Sequence, residues 1–319
     1  MPQKISPSDA NFFLGFDGGG TKTECVLADA NGGVLARAFA GPSNPLRAGY
    51  TRAWFALSEA ADCVLSRAKL HASHIGGICA GLGGAQASSV ARRVSTFFKG
   101  GFPHAKIRVT TDLDIAHEAA FGSGEGILLL AGTGSAALGR DASGRFVRAG
   151  GRGPWFSDEG SAFDIGRRAF EAVVRAEEAR GPATALSQRI FEWHQARDWN
   201  LIRDASSKNA DDIFPKTFPL VVRLADEGDI VSRDILSDAA LSLAQLAESA
   251  ATQLAWRDRE IPLAKIGGIF DRSKFFDAAI NVELEKALPG IRFVPVTISP
   301  AEAAVRTAIR SASAKGNAA

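Results

Sequence analysis

The sequence predicts an α/β protein built from two related lobes, and three observations carry that expectation. A short apolar run, Phe12 to Asp17, stops in three glycines and is followed by two further strand-like runs, Glu24 to Asp29 and Val34 to Ala40. The order strand, strand, strand, helix, strand, helix, strand then returns from Gly126 onward. Each copy carries a glycine-rich turn at the same point, Gly18-Gly19-Gly20 in the first and Gly132-Thr133-Gly134-Ser135 in the second. A chain of 319 residues is long enough for two packed cores.

The first three strands form an antiparallel meander, with Asn31-Gly32-Gly33 as the tight turn between the second and third. Gly41-Pro42-Ser43-Asn44-Pro45 reads as a loop. From about Arg47 to Leu70 the apolar residues Trp54, Leu57, Ala61, Val64, Leu65 and Ala68 recur at helical spacing. Gly76 to Gly81 reads as a buried strand, Ala85 to Phe98 as a helix and Lys106 to Thr111 as a strand. In the second copy the strands are Gly126 to Ala131, Ala136 to Arg140 and Phe146 to Ala149, with a turn at Asp141 to Gly144. A mainly helical stretch follows, from Ser161 to Arg259. Then come a strand at Ala264 to Ile269, a helix at Lys274 to Ala287, a strand at Phe293 to Val296 and a helix from Pro300 to Ser311. The expected division is residues 1–120 for the first lobe and 121–319 for the second, which holds the helical insertion. The helix at about 300–312 is expected to pack back on the first lobe. Two lobes of this kind leave a cleft for ligands. The small, polar tail from Ser313 reads as disordered.

Composition narrows the function classes. Hydrophobic residues make up 46% and charged residues 23%, with a formal net charge of +2. The densest basic pairs, Arg92-Arg93 and Arg167-Arg168, suit solvated helix faces, and no basic stripe with interleaved aromatics calls for nucleic acid. Met1 to Asn11 lacks the apolar core of a signal peptide, and the run Ile127 to Ala131 is too short to cross a bilayer. Cys25, Cys63 and Cys79 are widely spaced and form no disulfide or zinc pattern. His71 and His74 read as surface residues. The expected location is a reducing cytoplasm.

Four segments could carry chemistry. In Asp17 to Thr23 the glycines Gly18, Gly19 and Gly20 bring backbone N–H groups close to an anion. Thr21 and Thr23 add hydroxyls, Lys22 a cation, and Asp17 could hold Mg²⁺ through water. The plainer reading is a hairpin turn. Gly132-Thr133-Gly134-Ser135 is a weak signal alone and an informative one beside the first hairpin, in a chain without a P-loop. Asp112, after Thr110-Thr111, ends a strand where a proton-accepting carboxylate would serve phosphoryl transfer, or else caps the helix from Leu113 to Phe121. The loop Gly150 to Ser161, with Trp155, Phe156, Asp158 and Glu159, suits a polyhydroxylated ligand, or else Ser157 or Asp158 caps the next helix. Asn44 is a turn residue or a sugar ligand. Gly267-Gly268 allow close approach of a base or ribose, or simply turn the strand into a helix.

Taken in order, Asp17-Gly18-Gly19-Gly20-Thr21, Thr111-Asp112, Gly132-Thr133-Gly134-Ser135, Asp158-Glu159-Gly160-Ser161 and Gly267-Gly268 resemble the N-acetylglucosamine kinase and glucosamine kinase-like family. That family belongs with the BadF/BadG/BcrA/BcrD-type ATPases of the sugar kinase, heat-shock chaperone and actin superfamily. The resemblance implies two ribonuclease-H-like lobes with ATP and Mg²⁺ in a central cleft. By it, Gly18, Gly19, Gly20, Thr21, Lys22, Thr133, Gly134 and Ser135 meet the phosphates, and Gly267 and Gly268 lie near adenosine. Asp112 is the catalytic base toward a sugar 6-hydroxyl, and Asn44, Asp112, Thr133, Gly151, Arg152 and Asp158 line the sugar. The family usually has tryptophan where Arg152 stands, and the eukaryotic members have glycine where Ser157 stands. Both departures put the sugar's identity in question, and a guanidinium there suits an acidic substituent such as the lactyl group of N-acetylmuramate. The expected partners are an amino sugar and ATP, with a homodimer as a further option and neither nucleic acid nor a membrane. The rival readings are an ATPase coupled to a partner protein, as in dehydratase activators, and a nonenzymatic sugar sensor on the same scaffold.

Overall fold

The computed structural model describes residues 11–313; residues 1–10 and 314–319, with most of the N-terminal segment and of the polar tail discussed above, lie outside it. In chain order the elements begin with β1 (Phe12–Gly18), β2 (Thr23–Asp29), β3 (Val34–Ala40), α1 (Pro45–Ala48) and α2 (Tyr50–Ala68). They continue with β4 (Ile75–Leu82), α3 (Ser88–Gly101), β5 (Lys106–Thr110) and α4 (Asp112–Phe121). Next are β6 (Gly126–Ala131), β7 (Ser135–Arg140), β8 (Phe146–Gly150), α5 (Ala162–Glu177) and α6 (Leu186–Trp193). The last are α7 (Trp199–Glu227), α8 (Ile230–Gln253), β9 (Ile261–Ile266), α9 (Lys274–Ala287), β10 (Ile291–Phe293) and α10 (Pro300–Ser313).

Two compact units result, one of residues up to 123 with those from 296, the other of residues 124–295. Each holds a five-stranded sheet, ordered β3-β2-β1-β4-β5 in the first and β10-β9-β6-β7-β8 in the second. Read in reverse the second order is β8-β7-β6-β9-β10, the same as the first with β6 in the place of β1. In both, an antiparallel meander of three strands is extended by two parallel strands reached through helices. The repeated α/β plan read from the sequence is therefore the observed topology. No helix among the described residues is long and apolar enough to cross a membrane.

Some boundaries differ, for physical reasons. β9 ends at Ile266 rather than Ile269, because Gly267 adopts φ +141°, with no room for a Cβ beside the Ala131 carbonyl, and cannot extend the ladder. β10 ends at Phe293, since the Val294 N–H closes the last bond to Leu263 (2.8 Å) and Pro295 has no N–H to continue. α3 starts at Ser88, after Gly84 at φ +88° has turned the chain. Within α7, Asn209 (φ −157°, ψ 77°) joins two helices at a kink.

Strand alternation builds a layer on each side of the first sheet. Leu14 and Phe16 of β1 are buried with Leu57, Val64, Ile78, Val94 and Phe98, the α2 and α3 layer. Phe13 is buried with Cys79, Ile115, Ala301, Ala304, Val305 and Ala308, the α4 and α10 layer. Small residues on α10 let it lie close to β1, and Gly15 sets the limit: a Cβ there would stand 2.2 Å from the Ala301 carbonyl oxygen and 2.4 Å from the Val305 nitrogen. Backbone cannot yield as a side chain can, so Gly15→Ala is expected to cost about 2 kcal/mol or more. Urea unfolding of the whole chain would read this, and an unchanged midpoint would show that α10 does not rest on that face.

Candidate active site

The first hairpin is tied down through its carbonyls. Gly19 O accepts the N–H groups of Ser43 (3.1 Å) and Asn44 (3.0 Å), and Gly18 O accepts that of Gly83 (2.8 Å). In a trans peptide the next N–H points opposite to the carbonyl, so anchoring Gly19 O inward turns the Gly20 N–H outward. A Cβ on Gly18 would stand 2.0 Å from Ser43 Oγ, which shows how closely the two segments pass. Thr23 Oγ1 donates to Gly41 O (2.7 Å) and is buried. Lys22 is exposed with its ammonium 5.7 Å from the Phe39 ring. A cation not anticipated from sequence, Arg47, lies against the hairpin tip, its Nη1 3.4 Å from the Cβ position of Gly20.

Asp112 does not cap its helix. The cap of α4 is Thr111, whose Oγ1 accepts from Asp114 N–H (3.1 Å) while Asp114 accepts from Thr111 N–H (3.2 Å), a capping box. Asp112 Oδ1 accepts the neighbouring Leu113 N–H (3.1 Å), and Oδ2 lies near Gly83. A Cβ on Gly83 would lie 3.5 Å from that oxygen and 2.8 Å from Asn44 Nδ2, so the two groups meet over one glycine. Asn44 Oδ1 caps α1 through Leu46 N–H (3.0 Å), which commits its oxygen and leaves the amide nitrogen as the group on Gly83. The sequence reading missed Gly83; its signal was the run Gly81-Leu82-Gly83-Gly84 at the end of a strand.

Charge is concentrated here. Burial pushes the Asp17 carboxyl up to about 7, and the neighbouring Asp112 and Glu24 carboxylates push in the same direction against Lys22. Glu24 is buried opposite Asp17 in the β1–β2 register and is paired with Arg37, which also holds Glu302. Ser299 Oγ adds a hydrogen bond to Glu24 (3.1 Å).

The second hairpin repeats the device. Gly132 O accepts Ala162 N–H (2.9 Å) and Thr133 O accepts Phe163 N–H (3.4 Å), both from the first turn of α5. The N–H groups of Thr133 and Gly134 consequently point the other way. Ser135 Oγ is committed to Glu159 O (2.6 Å), so the hydroxyl expected at phosphate instead fixes the loop. Asp158, at φ +70°, is not a cap either; Ser161 caps α5 through Asp164 N–H (3.2 Å). The Asp158 carboxylate lies under Gly134, where a Cβ would stand 2.8 Å from Oδ2, and accepts from Ser135 N–H (3.4 Å). Burial raises its pKa, with Glu159 adding, while the Ser135 and Gly153 N–H groups and Arg148 lower it.

Gly151 sits at φ +67° beside Arg148, and Arg152 is exposed. Gly267 packs on Ala131, and Gly132 lies next to Gly268 N, whose carbonyl accepts from Arg272 Nε (3.1 Å). The first unit thus gathers Asp17, Gly18, Gly19, Gly20, Asn44 and Asp112. The second gathers Thr133, Gly134, Ser135, Gly151, Asp158, Gly267 and Gly268.

Two sheets of one order, each ending in an anchored glycine hairpin with a carboxylate beside it, define an actin-like ATPase fold of the ribonuclease-H-like kind. The chain belongs to the BadF/BadG/BcrA/BcrD ATPase family, which it matches over residues 14–305. It is 29% identical over 317 residues to an N-acetyl-D-glucosamine kinase of Dictyostelium discoideum, covering 94% of this chain and 98% of that one. It is 26% identical over 298 residues to an N-acetylmuramic acid/N-acetylglucosamine kinase of Clostridium acetobutylicum, covering 92% and 97%. A solved structure from Chromobacterium violaceum, assigned as an N-acetylglucosamine kinase, superposes with a TM-score of 0.76 at 25% identity, covering 93% of this chain and 99% of that one.

The Asp17 environment has a consequence for stability. Its folded pKa lies above the ordinary 3.8, so the stability it contributes is whole below about pH 4 and is lost as pH rises through about 7. In metal-free buffer, Asp17→Asn should match the parent near pH 4 and exceed it near pH 8. Urea midpoints at the two pH values decide this, and a parent that is the more stable near pH 8 would contradict it.

Proposed function

We propose that this chain is an ATP-dependent kinase that transfers the γ-phosphoryl group to the 6-hydroxyl of an amino sugar, N-acetylglucosamine or a relative such as glucosamine or N-acetylmuramate. The observation that carries the reading is the meeting of Asn44 and Asp112 over Gly83, beside a second carboxylate at Asp17. A neutral donor and a carboxylate acceptor on one glycine suit a sugar hydroxyl. Family membership supports ATP as the donor, and the amino sugar kinases among its relatives support the acceptor class.

In this reading Asp112 accepts the proton of the attacking hydroxyl, the work that phosphoryl transfer asks of a carboxylate. Thr111 and Asp114 carry the capping of α4, so that task does not fall to Asp112. Asn44, Thr133, Gly151 and Asp158 orient the sugar; the Asp158 carboxylate accepts hydroxyl hydrogen bonds. The N–H groups of Gly20, Thr133 and Gly134 meet phosphate oxygens, while those of Gly19 and Ser135 hold the turns through Lys22 O (3.0 Å) and Asp158 Oδ1 (3.4 Å); Lys22 is a nearby cation, and Gly267 and Gly268 lie at the adenosine end. Asp17 is one carboxylate near Asp112, which suits an ion that keeps most of its water rather than a cage of protein ligands. Asp17 would hold magnesium through water, and the ion when bound neutralises charge on the phosphates.

Asp112→Asn is expected to lose about 10²–10⁴ in turnover while nucleotide binding is kept. Coupled ADP release and a nucleotide-binding titration measure the two, and near-normal turnover removes Asp112 as the base. An ADP-release panel with N-acetylglucosamine, glucosamine, N-acetylmannosamine, N-acetylmuramate and glucose names the acceptor; no release above the sugar-free background with any of them refutes the kinase reading. Arg152, exposed in the sugar loop, is expected to favour an acidic substituent, so Arg152→Ala should lower the N-acetylmuramate rate relative to N-acetylglucosamine. An unchanged ratio would dismiss that role.

A further inference from the structure

Between β8 and α5 the chain runs through Gly150 (φ +73°), Gly151 (φ +67°), Gly153 (φ +98°), Asp158 (φ +70°) and Gly160 (φ +73°). So many left-handed residues give a loop little backbone preference of its own, and something else must fix its path. Its far end is fixed by Ser135, through the hydroxyl bond to Glu159 O and the N–H bond to Asp158. Its near end is fixed by Arg148, whose Nε donates to Gly150 O (3.1 Å) and whose Nη2 donates to Gly151 O. Between the two anchors the tip closes a turn on itself, Phe156 and Ser157 N–H donating to Gly153 O (3.1 and 2.9 Å), while Trp155 and Phe156 stand 78% and 85% exposed, so only the anchors tie that turn to the sheet.

Arg148 is well braced for this. It pairs with Leu138 in the β7–β8 ladder, and its carbonyl accepts from Gln253 Nε2 (3.3 Å) of α8. The guanidinium fills the space beside Gly151, where a Cβ would come within 2.3 Å of Nη2. A planar fork that serves two successive carbonyls with two N–H groups is a shape that lysine cannot reproduce. The same positive charge acts on Asp158, whose other close charged neighbour is Glu159.

We propose that Arg148 is a positioning residue of the sugar site: by holding the Gly150 and Gly151 carbonyls and standing near Asp158, it sets the path of the loop that presents Gly151 and Asp158 to the acceptor. The inference rests on the kinase reading above for its ligand, and on the loop geometry alone for its mechanics.

The test compares Arg148→Lys and Arg148→Gln in the full chain. Arg148→Gln is expected to raise the sugar KM roughly tenfold, the scale of one lost charge-assisted hydrogen bond, with the ATP KM unchanged. Arg148→Lys keeps the charge but loses the fork, so it should raise the sugar KM with the acid limb of the sugar kcat/KM profile unmoved. In Arg148→Gln that limb should move to higher pH, because a charge that favours ionised Asp158 is gone. A second readout needs no turnover: tryptic cleavage after the exposed Arg152, followed by mass, should be faster in both variants. A parent-like sugar KM together with parent-like cleavage at Arg152 overturns the proposal. A parent enzyme that phosphorylates no amino sugar refutes the kinase reading instead, and the cleavage rates then decide alone whether Arg148 holds the loop. Should Arg148→Gln not fold, the lysine variant decides by the same two measurements.

Discussion

At the carboxyl ends of both sheets the backbone passes its neighbours closer than any side chain would allow. The Cβ positions of Gly18, Gly83, Gly134 and Gly267 fall 2.0, 2.8, 2.8 and 1.8 Å from Ser43 Oγ, Asn44 Nδ2, Asp158 Oδ2 and the Ala131 carbonyl. Three of these four neighbours are polar side-chain atoms. Glycine here does more than permit a turn: it decides where a polar head rests. With alanine at Gly134 the Asp158 carboxylate would have to withdraw, and with alanine at Gly83 Asn44 would have to shift. The functional groups are therefore located by what their neighbours lack.

A second constraint follows from placing acids at helix starts. The N-terminal end of a helix favours negative charge and readily consumes a carboxylate as its cap. At α4 the cap is Thr111 with Asp114, and at α5 it is Ser161 with Asp164. In each case a hydroxyl and the acid three residues on take the capping role, so that Asp112 and Asp158 keep oxygens for other partners. Asp17 has no such relief. It is half-buried, with Asp112 and Glu24 outweighing Lys22 beside it, and the Glu24, Arg37 and Glu302 group behind it stabilises Glu24 rather than Asp17. Local rules of charge are broken here and, more mildly, at Asp158, as expected where structure serves binding.

Local pattern explains what could be read beforehand. The apolar runs of β1 to β3 and the helical stripe of α2 are local features, so the order of elements and the repeated plan were legible. The glycine hairpins were legible because three glycines in a row have few other uses. The choice of cap was not: Thr111, Asp112, Ser157, Asp158 and Ser161 are all competent caps, and tertiary packing selects which helix start is used. The end of β9 was hidden for a related reason, since Gly267 meets Ala131 across the sheet. Arg148 had no signal of its role, because its partners are the Gly150 and Gly151 carbonyls, and carbonyls leave no mark in a sequence.

The two hairpins gain their chemistry from one property of the peptide group. Carbonyl and following N–H point in opposite directions, so a protein that binds the carbonyl inward presents the N–H outward. The first unit spends loop N–H groups, Ser43 and Asn44, on Gly19 O; the second spends helix N–H groups, Ala162 and Phe163, on Gly132 O and Thr133 O. Different structures supply the donors, yet the outcome is shared: the N–H groups of Gly20, Thr133 and Gly134 are turned away from the anchoring backbone. Side-chain hydroxyls matter less to this than the motifs suggest, since Thr23 and Ser135 use theirs to fasten the frame. On the proposed function, the inward carbonyl, more than the glycine count, is what would suit such a turn to an anion.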